Sequence, residues 1–286
     1  MAAPTTPPPP TMPPVGRPAG VPMNVAAPKL AVPEGKMMPP RIVLMAVEGY
    51  GKSTIGATAI KPMMLMARGE SGYLTLLGQK LVPAVPAAAI ESWGELLALL
   101  DQLTTECPGK TLVLDALGGF ERLCHEHVCL RDFKGDWGEK GFSSYQKGYD
   151  VAVTDWIDML ARLDAIRTKG VMVIALSHCQ IKTHKNPLGE DFDRYVANVH
   201  GKTWGVTAQW ADAVLFGNFL SITDKLGKGD MKKKGIGGTE RILYCERRDA
   251  FDAKNRYGMP AELAIPNDPA QAWPTIWNAL TGKENV

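Results

Sequence analysis

The stretch richest in chemistry is Gly49-Tyr50-Gly51-Lys52-Ser53-Thr54, where two glycines precede a lysine and two hydroxyl residues. Glycines let backbone N–H groups turn inward and approach phosphate oxygens closely, a lysine adds positive charge, and a hydroxyl can ligate Mg2+. The spacing follows the phosphate-binding pattern G-x-x-x-x-G-K-[ST], in which Lys52 reaches the β- and γ-phosphates and Ser53 the metal. One position departs, because Ala46 stands where the first glycine of the pattern falls. A methyl group is a modest addition there, and Gly49 and Gly51 keep the close approach open. The bland alternative is a Gly-rich turn without a ligand.

Two carboxylates complement this turn. Leu112-Val113-Leu114-Asp115 places an acid at the end of an apolar run, where a strand-end aspartate orders the water shell of a metal beside the phosphates. Its alternative is a cap for the following helix. Asp115 is followed by Ala116, so a base that activates water must come from elsewhere. Glu70, just after Met64-Leu65-Met66-Ala67-Arg68-Gly69, is the candidate, against a plain surface glutamate. Cys124-His125-Glu126-His127-Val128-Cys129 has zinc-like letters, but its helical spacing points the pairs to different faces, and a metal reading is disfavoured.

The elements that would carry these residues alternate between apolar runs and helical periodicity, the pattern of a parallel sheet with crossover helices. Strands are expected at Ile42 to Ala46, Pro62 to Met66, Thr111 to Leu114 and Val171 to Leu176. A helix is expected from Lys52 to Ile60. Ser92 and Glu95 form a capping box ahead of a helix with Leu96, Leu97, Leu99, Leu100 and Leu103 on its apolar stripe. Tyr145 to Thr168 reads as a long amphipathic helix carrying Val153, Trp156, Ile157, Leu160, Leu163 and Ile166. Ala213 to Phe219 and Arg241 to Glu246, separated by the Gly/Lys-rich stretch Lys225 to Gly238, read as an appended antiparallel hairpin. Its tip, with Lys225, Lys228, Lys232, Lys233 and Lys234, could touch a nucleic-acid backbone. The loop Asp132 to Ser144 reads as a lid or subunit contact.

Composition bounds the rest. More than half of the 22 prolines fall in the first 40 residues of the 286, so residues 1–40 read as a disordered Pro-rich tail and 41–286 as one large α/β domain. Lys+Arg 32 against Asp+Glu 30 gives a net charge of +2, too small to name a polyanionic partner, so anion binding must be local. Five cysteines without regular spacing and no secretory segment imply reduced thiols inside a cell. Apolar runs fall far short of the roughly 20 residues that span a bilayer, so no membrane partner is expected.

Taken together, a phosphate loop on strand one, Glu70 after strand two and Asp115 on strand three resemble the RecA-type ATPase core over roughly residues 41 to 260. The sequence is most similar to phage RecA-like nucleotide-binding proteins of the Sak type, single-strand annealing ATPases. Leu112 to Leu123, Tyr145 to Asp150 and Phe251-Asp252-Ala253-Lys254-Asn255-Arg256-Tyr257-Gly258 carry the match. The last run is also similar to the Lys-Asn-Arg-Phe-Gly motif of RadA-type proteins, with Tyr257 in place of Phe.

The resemblance implies a RecA-like P-loop NTPase fold with a mostly parallel central sheet, flanking helices and a C-terminal antiparallel hairpin extension. It implies ATP and Mg2+, held by Gly49 to Thr54 and by Ser53 with Asp115 through water. Hydrolysis would use Lys52, Glu70 and, from a neighbouring subunit of a homo-oligomer, Lys254 and Arg256. After strand four, His178, with Gln180 second, would sense the γ-phosphate; a histidine satisfied by local backbone is the alternative. Ile181 to Lys202 falls where a DNA-binding loop would lie, with Lys182, Lys185, Arg194 and Lys202 toward phosphates and Phe192 or Tyr195 toward bases. The partners implied are single-stranded DNA and a single-strand-binding protein, in the cytoplasm of a bacterial host cell. The rival readings are a motor or loader for replication or packaging machinery, and a nucleotide-switched binding module with negligible turnover.

Overall fold

A computed structural model describes residues 30–32, 35, 37–223 and 235–282. The expected tail at residues 1–40 lies largely outside them, as does the lysine-rich tip from Lys225 to Lys234. The described elements run β1 (Arg41–Ala46), α1 (Lys52–Ala57), β2 (Pro62–Ala67), α2 (Gly72–Gly78), β3 (Ala87–Ile90) and α3 (Trp93–Thr105). There follow β4 (Thr111–Asp115), α4 (Leu117–Phe133), α5 (Lys147–Thr168), β5 (Met172–His184), β6 (Phe192–Ala197) and α6 (Gly201–Trp210). The chain closes with β7 (Ala213–Thr223), β8 (Gly235–Tyr244), β9 (Glu262–Ile265) and α7 (Pro269–Thr281).

The strands form one sheet in the order β3-β2-β4-β5-β1-β7-β8-β9, with β6 paired to β5. From β3 to β7 all neighbours are parallel, whereas β8 and β9 run antiparallel. This is the expected α/β class with its antiparallel extension. Both faces are covered. Along β1, Val43 and Met45 pack into one core and Ile42, Leu44 and Ala46 into the other. A strand buried on both faces needs an unbroken apolar run, which is what the sequence shows.

The first core is completed by α3, α4 and α5. Trp93 and Trp156 stack with centroids 5.9 Å apart, and Trp156 Nε1–H donates to Thr207 Oγ1 at 2.8 Å, tying α5 to α6. At the start of α3, Ser92 Oγ accepts from Glu95 N–H, but the Glu95 carboxylate accepts from Glu91 N–H, one residue upstream of a reciprocal capping box. The second core takes Ile55 from α1 and Trp273 and Ile276 from α7.

Several elements differ from the sequence expectations. α5 starts at Lys147 behind a short 3-10 turn at Ser144–Gln146, and Tyr145 is fully exposed. Ile157 is also exposed, because Ala152, Trp156, Met159, Leu160, Leu163 and Ile166 define the buried stripe. The Asp132 to Ser144 loop is pinned to α4 by Phe142, which is buried against Phe133 and His125. Cys124, from the zinc-like run, donates its thiol to Ala152 O in the core between α4 and α5. The fourth strand continues past Leu176 to His184 and folds into a hairpin with β6. The elements α2, β3, β6, α6, β9 and α7 lie beyond the expectations altogether.

Candidate functional site

The strand order decides which residues meet. Because β1, β2, β4 and β5 are parallel, their carboxyl ends share one edge of the sheet, where ligands of open α/β sheets bind. Ala46, the last residue of β1, is in register with His178 on β5, and Met66 on β2 with Asp115 on β4. Ala46 is ordinary extended strand, so the missing glycine costs nothing. The two retained glycines are where freedom is needed, with φ of 73° at Gly49 and 97° at Gly51. The turn between β1 and α1 is therefore shaped by its own sequence, with Thr54 buried in the first turn of α1.

Lys52 is buried, and its Nζ donates to Ala46 O and Val47 O, both at 3.1 Å, curling the side chain over the loop. Ser53 Oγ donates to Asp115 Oδ2 at 2.7 Å, so the hydroxyl and carboxylate expected to share a metal are adjacent. Burial raises the Asp115 carboxyl above its ordinary range, opposed in part by the Ser53 hydrogen bond, and burial likewise lowers the Lys52 ammonium. A cation beside this pair would relieve the cost of ionising Asp115, so the donors fit Mg2+, which prefers few carboxylates and oxygen ligands.

Glu70 lies in the turn three residues past β2, with Oε1 3.6 Å from His178 Nε2. His178 keeps the Glu70 carboxyl below its ordinary value, with Lys52 adding to the effect, so Glu70 stays ionised near neutrality. A Cβ on Gly72 would lie 3.2 Å from Ser53 Oγ, which shows how closely the Glu70 turn approaches the phosphate loop. Lys52, Ser53, Asp115, Glu70 and His178 thus converge at one edge of the sheet. The Asp115–Ala116 peptide is cis.

Lys254 and Arg256 lie elsewhere. Lys254 bridges through backbone to Val214, and its Nζ donates to Gln209 O at 3.5 Å. Arg256 Nη1 is 3.2 Å from Asp212 Oδ1, just ahead of β7. Asp212 also binds Arg41, the first residue of β1, and Arg167. That is the amino edge of the sheet, one full strand from the phosphate loop, or about 17 Å at ~3.3 Å per residue. Neither cation can serve the phosphate loop of its own chain.

The expected DNA-binding loop is a hairpin, and most of its cations are matched. Lys185 pairs with Asp191, Arg194 is buried and pairs with Asp252 at 2.7 Å, and Lys202 pairs with Asp150. Arg194 is therefore a structural ion pair rather than a free phosphate contact, and Tyr195 packs on Phe216 at 5.1 Å rather than facing a base. Lys182 carries no ion pair among the described residues, and Ile181 is exposed. At the base of the hairpin, where the chain passes into α6, His200 N–H donates to both Glu121 carboxylate oxygens at 2.9 and 3.0 Å.

Sequence reasoning missed Arg241, read only as the first residue of a strand. It reaches the phosphate loop through Nη1–H donation to Tyr50 O at 2.9 Å across a sequence separation of 191. Tyr50 is itself an anchor, fully buried, with its ring against Gly217 so that a Cβ there would meet it at 2.5 Å. An arginine in an apolar run, with no motif around it, gives no local sign of such a contact.

Comparison with curated proteins found no match. The family model described as an AAA domain, AAA_24, matches residues 38–257, a span that contains the phosphate loop, both carboxylates, His178, Lys254 and Arg256. With most of the sequence inside that match and a P-loop site assembled at the carboxyl edge of a parallel sheet, the chain belongs to this AAA domain family of P-loop ATPases.

Proposed function

We propose that the chain binds ATP with Mg2+ at the carboxyl edge of its sheet and hydrolyses it at an interface between subunits, in support of single-stranded DNA annealing or recombination of the phage Sak type. The convergence of Lys52, Ser53, Asp115, Glu70 and His178 carries the reading. Lys52 and the turn Gly49 to Thr54 would hold the phosphates. Ser53 and Asp115 would hold Mg2+, which when bound neutralises phosphate charge and polarises the γ-phosphate. Glu70, kept ionised by His178, accepts the proton of an attacking water, and His178 reports on the γ-phosphate side of the site. Arg256 and Lys254 would stabilise developing charge on a neighbour's nucleotide, as an arginine finger does.

The test is nucleotide binding and turnover by purified protein. Lys52→Ala is expected to lose ATP binding with unchanged circular dichroism. Glu70→Gln is expected to keep binding and lose about 10²-fold or more in kcat. Retained ATP binding in Lys52→Ala would contradict the site.

A second reading, a loader or motor acting on replication or packaging machinery, is favoured by the matched charges of Lys185, Arg194 and Lys202, which leave little free positive charge on the hairpin. Two complementary labelled strands separate the readings. Annealing supports the first; failure to bind or anneal either strand with ATPase intact supports the second.

A further inference from the structure

Arg241 is more than nine-tenths buried, at 8% exposure, yet it forms no ion pair with a carboxylate among the described residues. Its guanidinium is nonetheless held firmly. Nη1 donates to Tyr50 O at 2.9 Å, Nη2 donates to Pro266 O, and the group lies over the Tyr50 ring, 5.8 Å from its centroid. Nε has no partner. β8 is paired on both sides, Arg241 being opposite Phe219 on β7 and Ile265 on β9, so the side chain's origin is fixed by backbone. A Cβ on Gly51 would stand 2.8 Å from Nη1, which places the charge directly against the phosphate loop.

A buried charge without a counter-charge is costly, and the other buried arginine, Arg194, has Asp252. The loop beside Arg241 is the proposed seat of several negative charges, and the other cation buried there among the described residues is its own Lys52. We propose that Arg241 is a second phosphate-site cation: a positioning residue that holds the Gly49–Lys52 turn through Tyr50 and whose counter-charge is the polyphosphate of the bound nucleotide. The proposal rests on the reading of this loop as a nucleotide site and deepens it.

Three variants test it by calorimetric titration of ATP and by thermal melting with and without ATP. Arg241→Lys keeps the charge. Arg241→Gln removes it and leaves one shorter amide donor near the place of the arginine Nε. Lys52→Ala controls for the site itself. Arg241→Gln is expected to bind ATP about tenfold or more weakly, with a shallower dependence of affinity on salt. Arg241→Lys should recover most of that loss. Without nucleotide, the melting temperature of Arg241→Gln should change little, because the removal of an unmatched charge offsets the loss of the two carbonyl contacts, and ATP should raise it less than it raises wild type. Wild-type ATP affinity in Arg241→Gln overturns the proposal. So does an equal loss in Arg241→Lys and Arg241→Gln with a lowered nucleotide-free melting temperature, the mark of a purely structural strut. Should Lys52→Ala bind ATP as wild type does, the nucleotide-site reading itself fails; should it lose binding while the Arg241 variants keep theirs, only the Arg241 assignment falls.

Discussion

Asp115 and Glu70 are both carboxylates at strand ends, yet their surroundings push them in opposite directions. Asp115 is raised by burial, so its folded value lies above its unfolded one, and ionisation costs stability as pH climbs from the unfolded value through the folded one. Asp115→Asn is therefore expected to melt at or above wild type at pH 7 without nucleotide while losing Mg2+-dependent turnover; a lowered melting temperature would contradict this. Glu70 is held low by His178, so its contribution to stability is present above the unfolded value and fades only as pH falls through the lower folded one. His178→Ala removes that hold. The acid limb of the kcat/KM profile should then move to higher pH, and an unmoved limb would dissociate His178 from the base. Both acids were visible as candidates in the sequence because Asp115 closes an apolar run and Glu70 follows another within three residues. Asp212, which gathers Arg41, Arg167 and Arg256 from three distant stretches, was not, because nothing near it in the chain signals those partners.

Among the elements, the phosphate turn was the most legible because its glycines, lysine and serine are contiguous and its shape depends on local φ values. Ala46 shows how context settles a departure from pattern. As the end of a paired strand it needs no glycine, so Ala46→Gly should leave ATP affinity unchanged and cost about 0.5–1 kcal/mol in urea unfolding. Gly217 makes the opposite case. Gly217→Ala would drive a methyl into the Tyr50 ring and should destabilise the fold by about 1–3 kcal/mol, measured in the same way. β3, with the sequence Ala-Ala-Ala-Ile, was illegible because alanine has little strand preference and its placement comes from pairing with β2. β6 was hidden among polar residues. Its partner is the overlong end of β5, and the alternation that marks a half-exposed strand is blurred by charged pairs such as Arg194 with Asp252.

At the scale of the molecule, no helix among the described residues is long and apolar enough to cross a membrane. The phosphate loop and Arg256 occupy opposite edges of one sheet. Under the proposed mechanism, Arg256→Ala keeps ATP binding and loses about 10³-fold in turnover. Mixed with Lys52→Ala, which retains Arg256 but lacks a working loop, it should regain activity beyond either protein alone; no gain on mixing would place the finger elsewhere. The same separation has a geometric corollary. If Arg256 serves a neighbour's nucleotide, subunits with a socket on one side and its matching plug on the other would join head to tail, by a heterologous contact that either closes into a ring or runs on as a filament. In such a filament, the subunit at one end would keep an unanswered plug and the subunit at the other an empty socket, so under the proposed mechanism specific activity would climb with assembly length and a dilute, dissociated sample would be nearly silent.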